Sequence, residues 1–458
     1  MTRLTNYVIL SYCILTETED TLSAKGTNTI AVMSGSECYD SLKTGFKECW
    51  DEINQVIDDG QLEISPGHNI PIEVFLGGDY KFLLLVSGRS AANSNYACLW
   101  CKIHKDRRWD MSVPYDTYSK PPMSLTLDDI KKFSKKGEFC CVESPLLNVP
   151  LDHIILDELH LLLRFTDVLL SNLLEDAMEL DDKDDYTKKR GEPKGIHLRK
   201  LTQLINSCGI TFSVWEKKDG DGKGMGKMDW TSLMGDEKKK LLRMLPIKLT
   251  ESNDAIHSDS KDTVVKLWMD FSDIYFNCIS SRNPTDKESY GVRIRNWISL
   301  YLTLGNTRKG YGNRNVTPYM HAAAYHLQDS LHKFDNVKQF SGQGVEKNND
   351  TARSIVLRKS NNWDSPAEVI RAEHRMQSLC YRERRKRNYS KKNSEFWTNG
   401  KRALATEAKK KCISCQHDDV PISVMDTPNN QQLSKKAQSK KKKTTTKRKA
   451  NSASRRKK

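Results

Sequence analysis

Two pairs of candidate metal ligands, far apart along the chain, constrain the fold more than any other feature of the sequence. Cys98 and Cys101 form a Cys-x2-Cys pair in the first quarter of the chain, and His321 and His326 follow in its third quarter. Zinc in proteins prefers four tetrahedral ligands, usually thiolates and imidazoles. The two pairs therefore predict one shared zinc site that holds two distant segments together. The alternative is two buried thiols and two polar histidines on a helix.

The spacing of the two histidines does not suit a regular helix. The surrounding run YMHAAAYHLQDSLHKF is typical of a helix, on which positions i and i+5 lie about 140° apart around the axis. Both rings could reach one ion only from a distorted or terminal turn. His104 is a spare candidate ligand. Residues 412–417 (CISCQH) contain a second Cys-x2-Cys pair, without an evident fourth ligand.

Two further polar motifs are interpreted as structural. His153, Asp157 and His160 occupy positions i, i+4 and i+7, which share one face of a helix. They could be a ligand triad, but their apolar surroundings favour a hydrogen-bonded polar stripe inside a helical bundle. The run DGDGKGMG (219–226) starts like a calcium loop, yet Trp230 stands where such a loop needs its bidentate Glu. A surface hairpin is the favoured interpretation.

The positive charge of the chain is concentrated at its C-terminus. Of the net charge of +15, the segment 435–458 supplies 13 basic residues and no acidic one, which leaves +2 for residues 1–434. This segment has no apolar side chain larger than Ala, so we expect a solvated arm. Such clusters act as nuclear-entry signals or bind nucleic-acid phosphates; the alternative is a solubilising tail. The predicted phosphate-binding residues are Lys440, Lys441, Lys442, Lys443, Lys447, Arg448, Lys449, Arg455 and Arg456.

The sequence favours an intracellular, nuclear protein over a secreted or membrane protein. The opening run MTRLTNYVILSYCIL resembles a short signal peptide, but no small-residue cleavage site follows it, and we interpret it as a buried strand. No apolar stretch approaches the roughly 18 residues of a membrane span. The twelve cysteines are scattered, which favours metal ligands and buried thiols over a disulfide framework.

The pattern of apolar residues predicts an α/β arrangement in the first part of the chain. Residues 5–16 and 28–33 are β-branched and apolar, which predicts a hairpin. Apolar positions recur every three or four residues between 37 and 58, which predicts an amphipathic helix. The run IPIEVFLGG (70–78) predicts a short buried strand that ends just before Asp79.

Helices are predicted to dominate from Pro150 onwards, and the chain becomes polar and basic from about residue 361. Two predicted helices, 261–281 and 288–304, carry several aromatic residues at helical spacing. We expect these aromatic side chains in the core rather than stacked on nucleic-acid bases; they are Trp268, Phe271, Tyr275, Trp297 and Tyr301.

Two carboxylates flank the predicted zinc ligands at closely similar distances. Asp79 stands shortly before Cys98, at the end of the predicted strand, and Glu346 follows His326 at nearly the same separation. A zinc site would bring them towards each other. Carboxylates on a strand end and a facing helix are what a two-metal phosphoryl-transfer site requires, because divalent ions must be clamped beside the scissile phosphate.

This ordered set resembles the catalytic core of the V(D)J recombinase and of the Transib-type DDE transposases. The likeness lies in FLGGDYKFLLL around Asp79, in YACLWCKIHK, in VTPYMHAAAYH, in GVEKNN around Glu346 and in DELH at 157–160. It covers roughly residues 4–358. The order and spacing of the elements carry it.

The resemblance implies an α/β fold of the RNase H-like type, interrupted by a long, mainly α-helical, zinc-containing insertion. It implies a first part of the core in residues 1–97, the insertion in 98–326, the C-terminal helix of the core in 327–360 and a polar basic tail in 361–458. The chain departs from the family pattern at its start, where neither the first, central strand nor the Asp that it carries is found. A chain truncated at the N-terminus, incomplete or inactive, is therefore expected.

The resemblance also implies a chemistry. Asp79 and Glu346 would be catalytic ligands of Mg²⁺ or Mn²⁺, and Cys98, Cys101, His321 and His326 would hold a structural zinc. Members of the family nick DNA and transfer strands, so the implied partner is DNA, such as transposon ends, together with a second copy of the chain in a homodimer. Whether this chain is itself an enzyme is left open. The alternatives are a domesticated non-catalytic nucleic-acid-binding nuclear protein and an unrelated zinc-binding interaction protein.

Overall fold

The computed structural model describes residues 6–15, 22–189, 192–252, 254–358, 360 and 363–380. They form a mixed α/β structure in which helices dominate and the sheets are small. Within these ranges, no helix is both long and apolar enough to cross a lipid bilayer. The proposed division of the chain after residues 97, 326 and 360 is not tested by the structure and stays a prediction.

The regular elements alternate in the first 86 residues and are almost all helical afterwards. The strands are β1 (Tyr7–Cys13), β2 (Thr27–Ser34), β3 (Gln61–Ser65), β4 (His68–Pro71), β5 (Val214–Lys218) and β6 (Gly224–Trp230). The helices are α1 (Tyr39–Gly45), α2 (Lys47–Asp59), α3 (Tyr80–Val86), α4 (Leu127–Ser134), α5 (Glu158–Thr187), α6 (Ile196–Ser207), α7 (Gly235–Glu251), α8 (Lys261–Ile274), α9 (Tyr290–Thr303), α10 (Pro318–Tyr325), α11 (Leu327–Phe334), α12 (Gln343–Arg358) and α13 (Ser365–Cys380).

The predicted N-terminal hairpin is confirmed. β1 and β2 pair antiparallel, from Tyr7 opposite Ser34 to Cys13 opposite Thr27. Because successive side chains of a strand point to opposite faces, the hairpin packs on both sides. On one face, Val8, Leu10, Ala31 and Met33 contact the main core. On the other face, Ile9 and Val32 contact a small cluster on α12 and α13. The hairpin is thus held between the N-terminal helices and the C-terminal ones.

The sheet structure differs from the expected one beyond this hairpin. In the described part of the chain the named strands form three separate two-stranded sheets, β1–β2, β3–β4 and β5–β6. The predicted strand 70–78 is only partly formed, because β4 ends at Pro71 and the next ladder contact is a single parallel bridge between Leu76 and Ile154. A strand without a neighbour on either side cannot satisfy its backbone groups as a ladder does. The expected helix over 37–58 is divided at Phe46 into α1 and α2.

The helical part of the chain is built around an aromatic core, as the sequence predicts. Phe165 of α5 stacks on Phe271 of α8 with ring centroids 4.6 Å apart, and Trp297 of α9 lies 5.3 Å from Phe165. All five aromatic residues predicted for the core are buried.

The predicted surface hairpin over 219–226 is also confirmed. This segment contains the turn that joins β5 to β6 and the first residues of β6, and the two strands pair antiparallel.

Candidate metal centre and the neighbouring carboxylates

The cysteine pair lies in a loop that follows α3 and is tied to it. The hydroxyl of Tyr80, the first residue of α3, donates to the carbonyl of Ala97 at 3.1 Å. The indole of Trp100 donates to the carbonyl of Leu151 at 2.8 Å. Both thiols are buried, with Cys98 1% and Cys101 0% exposed. The helix that follows Asp79 and the loop that carries the thiols therefore form one rigid unit.

The histidine pair sits where two helices meet. The Thr317 hydroxyl accepts the N–H of Met320 at 3.2 Å and caps the start of α10, a favourable helix-start arrangement. His321 lies inside α10, but His326 has φ −127° and ψ −28° and separates α10 from α11. The run that is typical of one helix is therefore divided at His326, in the distorted terminal turn that the spacing of the two histidines requires for a shared ion. The break at His326 turns its ring back towards that of His321, and the ring centroids are 5.4 Å apart.

The four side chains converge on one point, and we call them the Cys/His cluster. The Sγ of Cys98 lies 3.3 Å from Nε2 of His326, and the Sγ of Cys101 lies 3.3 Å from Nε2 of His321. All four ligand atoms lie within 4.8 Å of one another. A tetrahedral zinc with Zn–S of ~2.3 Å and Zn–N of ~2.0 Å separates S and N by about 3.5 Å. The cluster can therefore bind a zinc ion, as the sequence predicts.

The electrostatics of the cluster suit a metal. Burial acts to raise the pKa of the Cys98 thiol, but the hydrogen bond from Cys101 and the charge of the His326 ring outweigh it, so this pKa lies below its ordinary value. Burial raises the pKa of Cys101 and lowers that of His321. Zinc binds thiolate and neutral imidazole. The lowered pKa of Cys98 favours its thiolate form, and the lowered pKa of His321 favours its neutral form.

Among the described residues, this is the one group of three or more Cys, His, Asp or Glu side chains whose ligand atoms converge in this way. His104 is not part of it; its Nδ1 accepts the N–H of Asp106 at 3.4 Å, at the start of a short turn. The second Cys-x2-Cys motif at 412–417 and the basic residues of 435–458 lie outside the described residues.

Asp79 lies between the isolated bridge at Leu76 and the start of α3. Its Oδ1 accepts the N–H of Phe82 at 2.7 Å and caps the helix. The N–H of the next residue, Tyr80, donates to the hydroxyl of Tyr319 at 3.2 Å. Tyr319 lies on α10 just before His321, so the same helix that supplies a cluster ligand also fixes the position of Asp79.

Glu346 lies in the first turn of α12 and points into solvent, with its side chain 53% exposed. Its Oε1 is 3.7 Å from Nε2 of His160. The negative charge of Asp79 also contributes to raising the pKa of His160. Both predicted carboxylates, far apart in sequence, therefore act electrostatically on the same histidine. We call Asp79 and Glu346 the carboxylate pair.

Asp157 holds His160 in this position. The Asp157 carboxylate caps α5 by accepting the N–H groups of Leu159 and His160, and it also binds Nδ1 of His160. It accepts the N–H of Gly342 at 2.8 Å as well, which fixes the chain just before α12. Burial acts to lower the pKa of His160, but the hydrogen bond to Asp157 and the charges of the three carboxylates raise it.

The prediction that His153 shares a helical face with Asp157 and His160 is wrong. α5 begins only after Asp157, and His153 lies in a short turn before it, where its ring stacks on Phe75 with centroids 4.7 Å apart. The sequence reasoning also missed that His160 faces Glu346. The Asp-Glu pair at 157–158 is typical of a helix start and could have shown that His160 lies in the first turn of α5.

Glu158 ties the same region together from inside. Its carboxylate is fully buried, forms an ion pair with Lys338 and accepts the hydroxyl of Tyr275 at 2.6 Å and that of Ser341 at 3.0 Å. Since Lys338 and Ser341 lie just before α12, this network joins the start of α5 to the helix that carries Glu346. The position of Glu346 is therefore fixed by two adjacent acidic residues, Asp157 and Glu158.

No family model matches this chain, and no curated protein matches it either.

Proposed function

We propose that the chain is a transposon-derived protein of the DDE transposase or recombinase type, in which a structural zinc fastens a helical insertion to an RNase H-like core. The observation that carries the proposal is that Glu346 lies 3.7 Å from His160, and that the charges of Glu346 and Asp79 both contribute to raising the pKa of this ring. These two carboxylates are separated by more than half of the chain. Asp79 caps the start of α3 and Glu346 lies in the first turn of α12, and the resemblance to this family implies that both are metal ligands.

The Cys/His cluster has the properties of a structural site. All four ligands come from the protein and all are buried, whereas a catalytic zinc keeps one position open for water or substrate. The ion would connect the loop after α3 to the junction of α10 and α11. Because Tyr80 and Tyr319 also make contact between these elements, loss of the ion would loosen the position of Asp79.

The carboxylate pair has the properties of a ligand-accessible site. Asp79 is half-buried, Glu346 is exposed, and the His160 ring contacts Glu346 through Nε2 and Asp157 through Nδ1. Carboxylate oxygens are the ligands that Mg²⁺ and Mn²⁺ prefer. A bound divalent ion supplies Lewis-acid stabilisation of a phosphoryl group and a nucleophile at neutral pH. In this proposal Asp79 and Glu346 hold the ion, and His160 orients the Glu346 carboxylate.

A site of this type needs a third carboxylate. Among the described residues the nearest candidate is Asp157, but its oxygens already accept from three backbone N–H groups and from His160. It is therefore a positioning residue in this proposal rather than an ion ligand. With two carboxylates available, the site is expected to hold an ion weakly and to be inactive as a nuclease. This also keeps the non-catalytic alternative, a nucleic-acid-binding nuclear protein, as the second candidate.

The remaining parts of the proposal concern partners. Segment 435–458 is proposed to bind DNA phosphates and to direct the protein to the nucleus, because its 13 basic residues have no acidic neighbour. DNA, including transposon ends, is the proposed partner, and a homodimer is the proposed assembly.

Metal-dependent DNA binding tests this function. The affinity of the purified chain for duplex DNA should rise when Mn²⁺ is added, and the rise should disappear in Glu346→Gln. The matched control is Asp350→Asn, since Asp350 is an exposed carboxylate on the same helix. An Mn²⁺ effect that Glu346→Gln retains would refute the proposal. Nicking of supercoiled DNA that depends on Glu346 would decide for the enzyme, and metal-dependent binding without nicking for the non-catalytic alternative.

A further inference from the structure

A polar cleft opens between α9 and the loop 111–115. Its volume is about 300 Å³, and α9 contributes Arg295, Asn296 and Ser299 while the loop contributes Ser112 and Tyr115. A volume of this size lies at the lower end of the range for small-molecule sites. None of these residues belongs to the carboxylate pair or to the Cys/His cluster. We call it the Arg295 cleft.

Arg295 is the unusual residue of this cleft. Its guanidinium carbon lies 5.3 Å from the centre of the Tyr115 ring and 5.9 Å from that of Tyr325. It makes no ion pair or hydrogen bond with any other described residue, and its Nη1 is buried without a partner. A guanidinium carries five N–H donors, and a buried donor left unpaired is costly. The two aromatic rings hold the cation in place while leaving its donors unused.

The nearby carboxylates do not serve as partners of Arg295. Asp110 accepts the hydroxyl of Ser112 at 2.6 Å and pairs with Arg107. Asp329 accepts the hydroxyls of Tyr115 and Ser119, each at 2.9 Å. Asp110 and Asp329 are therefore already engaged by other residues. Neither forms an ion pair with Arg295.

We infer that the Arg295 cleft binds a phosphate group. The fork of a guanidinium matches two phosphate oxygens, which is why Arg is preferred for bidentate recognition. Asn296 and Ser299 lie on the same face of α9 and can donate further hydrogen bonds. An apolar or cationic occupant would leave the Arg295 donors unpaired. The phosphate can belong to a nucleic-acid strand or be a small free phosphate.

Tyr325 contacts both the Arg295 cleft and the Cys/His cluster. The hydroxyl of Tyr325 donates to the carbonyl of Asp110 at 2.9 Å and so fixes the loop wall. The ring of Tyr325 lies 5.2 Å from that of His321 and 4.7 Å from that of Tyr118. The element that forms the cluster therefore also shapes the cleft, and a phosphate site here would sit beside the proposed zinc.

Chemical labelling tests this inference on the full-length protein. Phenylglyoxal modifies accessible guanidinium groups, and peptide mass spectrometry reports the rate at Arg295 alone, whatever the basic tail binds. One arm adds inorganic phosphate and the other a short oligothymidylate. We expect Arg295 to be protected several-fold. Protection by oligothymidylate but not by phosphate assigns the group to a nucleic-acid backbone, and protection by inorganic phosphate alone assigns it to a small free phosphate. An unchanged rate in both arms overturns the inference.

A binding series adds an independent readout. Arg295→Ala should lower the affinity for the probe that protects Arg295 from labelling. The expected loss is about tenfold, as for the loss of a charge-assisted hydrogen bond. With oligothymidylate the substitution should also reduce the slope of log affinity against log salt by about 0.7. The matched control is Arg293→Ala, because Arg293 lies on the same helix but is paired with Asp273 and Asp286. Equal effects of the two substitutions would contradict the assignment, and partial rescue by Arg295→Lys would support it.

Discussion

Replacement of Cys98 by Ser should remove the metal from the Cys/His cluster and loosen the whole molecule. The two Sγ–Nε2 contacts of the cluster join residues 228 and 220 positions apart. A covalent or metal link that closes a loop of this length is expected to stabilise the folded state by about 5 kcal/mol through the entropy of the unfolded chain. Domains are stable by only ~5–15 kcal/mol in total. Loss of the ion should therefore leave a marginal fold.

The expected change in melting temperature follows from the size of the folded unit. The first compact unit spans residues 1–382, and an unfolding entropy of roughly 2.1 cal/mol/K per residue gives ~0.8 kcal/mol/K. A loss of about 5 kcal/mol then lowers Tm by ~6 °C. The assay is differential scanning calorimetry together with elemental analysis of the metal. Wild-type protein should contain about one zinc per chain, and Cys98→Ser should contain none.

The matched control is Cys141→Ser, which also places a hydroxyl at a fully buried thiol but lies outside the cluster. It should keep its zinc and lose less stability. Cobalt substituted into the wild type should give the absorption of a tetrahedral thiolate site. Zinc retained by Cys98→Ser would refute the shared site. An unchanged Tm after chelation of the wild-type metal would refute the loop-closure reasoning.

Three further predictions concern the surroundings of the carboxylate pair and the basic tail. Glu158→Gln should lower the free energy of unfolding by about 3–5 kcal/mol, because it leaves the positive charge of Lys338, whose side chain is only 12% exposed, without its negative partner; urea denaturation measures this. Asp157→Ala should cost about 1–2 kcal/mol through the lost helix cap, and it should lower the Mn²⁺ affinity in calorimetry because His160 loses its anchor. Deletion of 435–458 should weaken DNA binding and flatten its dependence on salt; an unchanged slope in fluorescence anisotropy would contradict the proposed role of the tail.

The candidate site was predictable where chemistry fixes the spacing of residues. Two ligands that are close in sequence can bind the same ion. Cys98 and Cys101 form one such pair and His321 and His326 form another, so the sequence indicated the site. The spacing of the two histidines indicated a distorted or terminal turn, although the run of alanines before His326 favours helix. The requirement that both rings reach one point outweighs that local preference.

The fold was predictable where the local sequence of a segment determines its secondary structure. The β1–β2 hairpin and the aromatic core follow from local alternation and helical spacing. The strand over 70–78 was predicted too long, because strand formation depends on neighbours that periodicity does not reveal. The start of α5 was placed too early, since Leu151, Ile154 and Ile155 recur at helical spacing although α5 begins only after the cap at Asp157.

The most direct test of the account is whether Asp79 and Glu346 share one divalent ion. Mn²⁺ titrated into zinc-loaded protein and followed by electron paramagnetic resonance should show one site that is lost in Asp79→Asn and equally in Glu346→Gln, with the zinc content unchanged and the site retained in Asp350→Asn. Mn²⁺ binding that is the same in both carboxylate variants as in the wild type would contradict the account.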